Sequence, residues 1–181
     1  MNRFHPWRVR LVIVIIVIAA FAVHSSAVDL SVEMKSQAEK MVEALVTQQY
    51  EKFVAYTLPA VVDGVGGKEQ MIKKLQTETT KMVHEGYRLN SVTLASSPDM
   101  FEAQGHLYGL LVETITMRAP GGTLTKESFL IGVSYDQGST WSFVEGENFK
   151  EDTLKTVFPE LVGKFVLPTQ KEPTYVPDGS R

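Results

Sequence analysis

Residues 101–122, FEAQGHLYGLLVETITMRAPGG, form the central part of the C-terminal half of the sequence. Their long β-rich run ends in Ala-Pro-Gly-Gly, a sequence typical of a hairpin turn. Residues 123–135 form a second strand-like stretch, and residues 140–145 form a shorter one after another turn. Residues 87–95 alternate in the same way and end at a turn. The C-terminal half therefore predicts an antiparallel sheet of about four strands.

The N-terminal half has helical periodicity instead. Residues 31–46 place apolar side chains three and one positions apart, which predicts a helix with one buried face. Residues 48–56 predict a short second helix that ends before Pro59. After a loop at residues 60–67, the helical period returns over residues 68–85 and predicts a third helix.

This order of elements predicts an α+β fold, in which three N-terminal helices pack on one face of a curved antiparallel sheet. A short C-terminal helix is expected over residues 151–158. We assign residues 28–168 to this domain. Residues 169–181 are rich in proline and polar side chains, so we expect a loosely held tail there.

The first 27 residues are typical of a secretory signal peptide. Three arginines form a basic start, residues 11–23 form an uninterrupted apolar run, and small residues precede an expected cleavage after Ala27. The apolar run is shorter than the roughly 20 residues that span a bilayer. We therefore expect cleavage and a periplasmic or secreted protein without stable membrane insertion, the alternative being an uncleaved membrane anchor.

Composition excludes several functions. The first 27 residues hold three of the 18 Lys and Arg and none of the 21 Asp and Glu, so the remainder has a formal net charge of −6. A net-negative domain without a basic run is unsuited to nucleic acid or to anionic membrane surfaces. The absence of cysteine excludes disulfides, thiolate metal sites and a cysteine nucleophile.

The layout resembles the NTF2-like superfamily, whose fold is a cystatin-like α+β cone. The resemblance spans residues 31–165 and is carried by the following residues: Ala44-Leu45-Val46-Thr47-Gln48-Gln49-Tyr50-Glu51-Lys52-Phe53, Tyr56, Pro59, Val61, Val62 and Gly66-Gly67. It implies a sheet wrapped against the helices, with a pocket at the open end. Members of the superfamily include steroid isomerases, dehydratases, epoxide hydrolases and non-enzymatic binding or dimerising modules, so the fold does not select a chemistry.

Residues 134–141, SYDQGSTW, fit the pattern S-x-D-x-G-x-T-W, which resembles the Asp-box of sialidases and other β-propellers. A propeller needs several blades of about 40 residues, whereas this chain has a single copy and a helical N-terminal half. We therefore interpret the motif as a structural hairpin turn. Its expected members are Ser134, Asp136, Gly138 and Trp141.

Two carboxylates are candidates for general-base chemistry in a pocket. Glu113 lies in a strand that is apolar on both faces, and Asp63 lies in the loop after Pro59. The alternative for Glu113 is a surface carboxylate paired with Arg118 or Lys126 across the sheet.

Five side chains are candidates for contact with an apolar ligand in such a pocket. They are Tyr50, Tyr56, His106, Tyr108 and Trp141. The two histidines outside the leader, His84 and His106, are separated and have no carboxylate cluster nearby, so we expect no metal and no cofactor.

Three hypotheses for function follow. The first is an exported non-catalytic domain of the NTF2-like type that binds a small apolar or amphipathic molecule or a partner protein. The second is an isomerase, dehydratase or hydrolase that uses Glu113 or Asp63. The third is a structural module that forms a homodimer by packing sheet on sheet.

Overall fold

The computed structural model describes residues 27–146, 151–164, 166–169 and 171–179. The expected leader lies almost entirely outside these ranges. Within them, no helix combines the length and the apolar character that a membrane span requires.

In the part of the chain that the structure describes, four helices precede the sheet. They are α1 (Ala27–Val46), α2 (Tyr50–Tyr56), α3 (Pro59–Gly64) and α4 (Lys68–His84). The expected count of three was wrong because residues 60–67 are not entirely loop. Proline at the first position of a helix loses no hydrogen bond there, and the N–H of Leu58 donates to the carbonyl of Phe143 at 2.8 Å, which anchors the start of α3 to the sheet.

The sheet is antiparallel and open, and six of its strands lie in the described residues. They are β1 (Arg88–Leu94), β2 (Asp99–Ala103), β3 (His106–Ala119), β4 (Gly122–Ser134), β5 (Ser142–Glu145) and β6 (Thr174–Pro177). The path runs β1-β3-β4-β5, β2 pairs with the first part of β3, and β6 pairs with the start of β4. The molecule is therefore an α+β protein.

Two strands differ from the sequence-based expectation. Gln104 and Gly105 have φ of 51° and 77°, so a two-residue hairpin divides the β-rich run into β2 and β3. Strand β6 lies within the expected loose tail. It is held by pairing with β4 and by the Arg118 guanidinium, which donates to both carboxylate oxygens of Asp178 at 2.7 and 2.6 Å.

Each face of the sheet carries its own apolar core. On the inner face, Leu111, Leu130 and Phe143 pack against residues of α1 and α2. On the outer face, the chain supplies its own cover, helix α5 (Glu151–Val157) and a 3₁₀ turn at Pro159–Leu161. The short C-terminal helix is where the sequence predicts it. This helix and the 3₁₀ turn account for the burial of Tyr108 and Leu110 on the outer face of β3.

A hydrogen bond connects the 3₁₀ turn at Pro159–Leu161 to the outer face of the sheet. In it the Tyr108 hydroxyl donates to Glu160 Oε1 at 2.6 Å. Tyr108→Phe is expected to lower the free energy of unfolding by about 1–2 kcal/mol, because it leaves the ring in place and removes a charge-assisted hydrogen bond. Urea unfolding measures this. Tyr135→Phe, at an exposed ring, is the control and should change stability little; equal losses in both variants would contradict the prediction.

Candidate functional site

The main concave site is a cleft of about 940 Å³ between the helices and the inner face of the sheet. Most of its lining is aliphatic or aromatic and comes from α1, α2 and α4 above and from β1, β3 and β4 below. The apolar lining includes Met41, Leu45, Val46, Phe53, Met71, Leu75, Met82, Val83, Leu89, Ile115, Met117 and Leu124. A cleft of this size and composition is suited to a small apolar molecule.

The cleft exists because α4 does not close on the sheet. Helix α4 turns an apolar face inward, yet none of its residues is fully buried. Its position is held from the side by the Tyr50 hydroxyl on α2, which donates to Thr79 Oγ1 at 2.9 Å. The apolar face of α4 therefore forms a wall of the cleft and not part of a closed core.

A few charged groups interrupt the apolar lining. Lys74 and Glu78 lie on α4, Arg88 lies at the start of β1, and Lys126 and Glu145 lie on the sheet. The Glu145 side chain remains accessible because it faces the open cleft, although protein surrounds it closely. This desolvation raises its pKa, and the positive charge of Lys126 offsets part of the rise.

Glu113 lies directly beneath this lining. It occupies the same face of β3 as Ile115, opposite Ser128 on β4, and is only 2% exposed. Burial raises its pKa from 4.5 to about 7, and the negative charge of Glu145 adds to the effect. The Ser128 hydroxyl lies near enough to offset part of this rise. The two groups nevertheless do not form a hydrogen bond of normal geometry.

The alternative of a surface ion pair for Glu113 does not fit this geometry. Arg118 is occupied by Asp178, Lys126 lies opposite Ile115 and not opposite Glu113, and Glu113 is among the most fully buried side chains described. Asp63 is different, since it is exposed on α3. Val61 and Val65, on either side of it, line the cleft, and Asp63 does not.

The five expected ligand contacts lie away from the cleft. Tyr50 sits behind it as a support for α4, and Tyr56 lines a separate depression of about 380 Å³ with Lys40 and Glu43. Their role as ligand contacts stays a prediction that the cleft geometry does not support.

The other three candidates lie at two further places. His106 and Tyr108 are on the outer face of the sheet, where His106 contacts the ring of Tyr135 edge-on at 4.8 Å and Tyr108 belongs to the core beneath α5. Trp141 is buried in the inner core, and its Nε1 donates to the carbonyl of Gly138 at 3.1 Å.

The SYDQGSTW stretch forms a hydrogen-bonded turn. Asp136 Oδ1 accepts from the Ser134 hydroxyl and from the N–H of Thr140 at 2.9 and 2.8 Å, and Gly138 has φ of 91°. Gln37 of α1 joins the turn, because its side-chain oxygen accepts from the N–H of Trp141 at 2.9 Å. The turn therefore connects the sheet to α1 and contributes no residue to the cleft lining.

The sequence did not indicate Glu145 as a site residue, and it indicated Lys126 only as an alternative surface partner of Glu113. A signal for Glu145 was present, because alternation from Trp141 through Phe143 places position 145 on the apolar face of a strand. Among the described residues, no three His, Asp or Glu side chains converge in a way that could hold a metal ion.

No protein-family model, curated protein or solved structure matches this chain.

Proposed function

We propose that this protein is an exported, non-catalytic domain of the NTF2-like type that binds a small apolar or amphipathic molecule. The observation that carries the proposal is the cleft, whose volume of about 940 Å³ lies between two largely aliphatic walls. Such a cleft leaves apolar side chains in contact with water, and a ligand that covers them gains roughly 25 cal/mol per Å² of apolar surface buried.

The test is the binding of N-phenyl-1-naphthylamine, an uncharged apolar dye whose fluorescence rises on leaving water. We expect saturable binding to the wild-type protein. Ile115→Lys, on the floor of the cleft, is expected to weaken binding about tenfold or more, because the dye would have to contact or displace a charged group. Met82→Lys, on the opposite wall, is expected to do the same.

Val112→Lys is the matched control, since Val112 is on the same strand as Ile115 but points to the outer face and is 38% exposed. It should bind the dye like the wild type. Circular dichroism establishes that each variant is folded. Absence of saturable binding, or equal binding by Ile115→Lys, Met82→Lys and Val112→Lys, would overturn the proposal.

A second candidate function, an enzyme using a pocket carboxylate, is favoured by Glu113 alone. A buried carboxyl with a pKa of about 7 can give and take a proton near neutral pH. The test is hydrogen–deuterium exchange α to the carbonyl of 2-octanone in D₂O, followed by NMR. Exchange that exceeds the buffer rate and is lost in Glu113→Gln would support the enzyme; exchange at the buffer rate in both proteins would rule out this reaction.

Formation of a homodimer is a separate proposal. It is supported by the part of the outer sheet face that α5 does not cover, where Val112 and Val176 are 38% and 49% exposed. Sedimentation velocity at micromolar concentration tests it, and a monomer would contradict it.

A further inference from the structure

The inner end of the cleft contains a polar cluster built by strand register. Glu113 on β3 lies opposite Ser128 on β4, and Lys126 lies two residues before Ser128 on the same face. Glu145 on β5 lies opposite Leu130, which is two residues after Ser128. Because serine is small, the three longer side chains have room to converge above it. Lys126 and Glu145 line the cleft, and Glu113 and Ser128 lie buried beneath this lining.

Two atoms of this cluster have unused hydrogen-bonding capacity. Glu113 Oε1 and Ser128 Oγ are buried, and in the described part of the chain neither has a hydrogen-bond partner. The two residues are 2% and 7% exposed and face each other across the ladder. Buried polar atoms almost always have partners in native proteins. Two such atoms side by side beneath an apolar cleft indicate a place for the polar end of a ligand.

The charges of the cluster indicate which polar end it accepts. Glu113 and Glu145 are two carboxyl groups, and Lys126 is one ammonium group, so the fully ionised cluster lacks one positive charge. On the facing wall, Lys74 and Glu78 of α4 balance each other. The cleft lining from α1, α2 and α3 carries no charge, and Tyr87 and Arg88 lie at the other end of the sheet from Glu145. Without a ligand, protonation of Glu113 removes one negative charge, so that Glu145 and Lys126 balance each other.

We propose that the cleft takes an amphipathic cation, an aliphatic chain ending in a primary ammonium group that replaces the proton of Glu113. This inference rests on the proposed ligand-binding function and specifies the ligand class. The ammonium has three N–H donors, and Glu113, Ser128 and Glu145 carry oxygen acceptors on one face of three neighbouring strands. On binding, the Glu113 carboxyl loses its proton to the buffer, the ligand keeps its own, and no other bond breaks.

The experiment compares octylamine with 1-octanol, which have the same chain and different head groups. Isothermal titration calorimetry at pH 6 is run in two buffers of different ionisation enthalpy, so that proton release is measured directly. The protein is the full chain, purified as the expression host processes it. For the wild type, we expect octylamine to bind about tenfold more tightly than 1-octanol and to release close to one proton.

Glu113→Gln is expected to bind octylamine about as weakly as 1-octanol and to release no proton. Glu127→Gln is the matched control, because Glu127 is exposed on the outer face of β4 and its carboxylate lies 2.7 Å from Lys171. It should keep both the preference and the proton release. If Glu113→Gln fails to fold, the preference and the proton release of the wild type still decide the question.

The outcomes distinguish a failure of the ammonium preference from a failure of ligand binding itself. If 1-octanol binds as tightly as octylamine and no proton is released, the inference is wrong and the proposed function stands. If neither compound binds, both are wrong. If octylamine is preferred equally by the wild type and by folded Glu113→Gln, Glu113 is not the anchor and the inference is overturned.

Discussion

Glu113→Gln is expected to stabilise the protein more at pH 8 than at pH 4. The gain in the free energy of unfolding over the wild type should be about 3 kcal/mol larger at pH 8. The wild-type protein buries a carboxyl group whose pKa rises from 4.5 to about 7 on folding. Glutamine is close to the protonated carboxyl in shape and has no charge to bury. The substitution therefore removes a destabilising ionisation and keeps the packing beneath the cleft.

The sign follows from the number of protons that each state binds. Between pH 4.5 and about 7, the folded protein holds a proton on Glu113 that the unfolded chain has released. Stability from this group is therefore fully present below pH 4.5, decreases as the pH rises, and is lost above about pH 7. Glu113→Gln should show a flatter profile, with its largest advantage at alkaline pH.

Urea unfolding from pH 4 to pH 8, followed by the fluorescence of buried Trp141, measures both profiles. Glu127→Gln should follow the wild-type profile closely, since an exposed ion pair contributes about 0–1 kcal/mol. Parallel profiles for the wild type and Glu113→Gln would mean that Glu113 is not a buried titrating group.

Phe129→Ala is expected to lower the free energy of unfolding by about 3–5 kcal/mol, the usual range for a fully buried phenylalanine. Phe129 is 1% exposed on the outer face of β4, in the core formed with Leu154, Phe158 and Leu161. Removing the ring creates a cavity between the sheet and its C-terminal cover, a change that chemical denaturation measures.

Val112→Ala is the matched control because Val112 lies opposite Phe129 in the ladder and is 38% exposed. It should cost well under 1.5 kcal/mol. Below its unfolding transition, Phe129→Ala should still bind the apolar dye, because the cleft is on the other face of the sheet. A loss of stability no larger than that of Val112→Ala would show that the C-terminal cover is not packed on this face.

Local patterns predicted most of the fold. The change from helical period to alternation near Gly86 separates the helices from the sheet, and the glycine-rich turn after Ala119 is the hairpin between β3 and β4. Helix α3 was missed because glycines dominate its neighbourhood and hide a single turn that starts at Pro59. Strand β6 was missed because its four residues are exposed and have no apolar alternation to detect; pairing with a distant strand creates it.

The site was predicted less completely. Glu113 was found because a carboxylate on a strand that is apolar on both faces is unusual. The sequence could not show that the aromatic candidates lie outside the cleft. An aromatic residue in an alternating strand or an amphipathic helix fits the same pattern whether it fills a core or lines a cleft. The cleft depends on the distance between α4 and the sheet, and no local pattern contains that distance.

Sequence patterns alone located α1, α2, α4, α5 and most of the sheet, the apolar character of both faces of β3, and an acid among apolar neighbours, Glu113. Each of these depends on residues close together in the chain, where periodicity and turn chemistry act. The tertiary structure was needed to show that Glu113 lies opposite Ser128, on the same face of the sheet as Lys126 and Glu145, beneath a cleft. These residues are 13 to 32 positions from Glu113 in the chain, and strand register, which is set by packing over the whole sheet, brings them to one face.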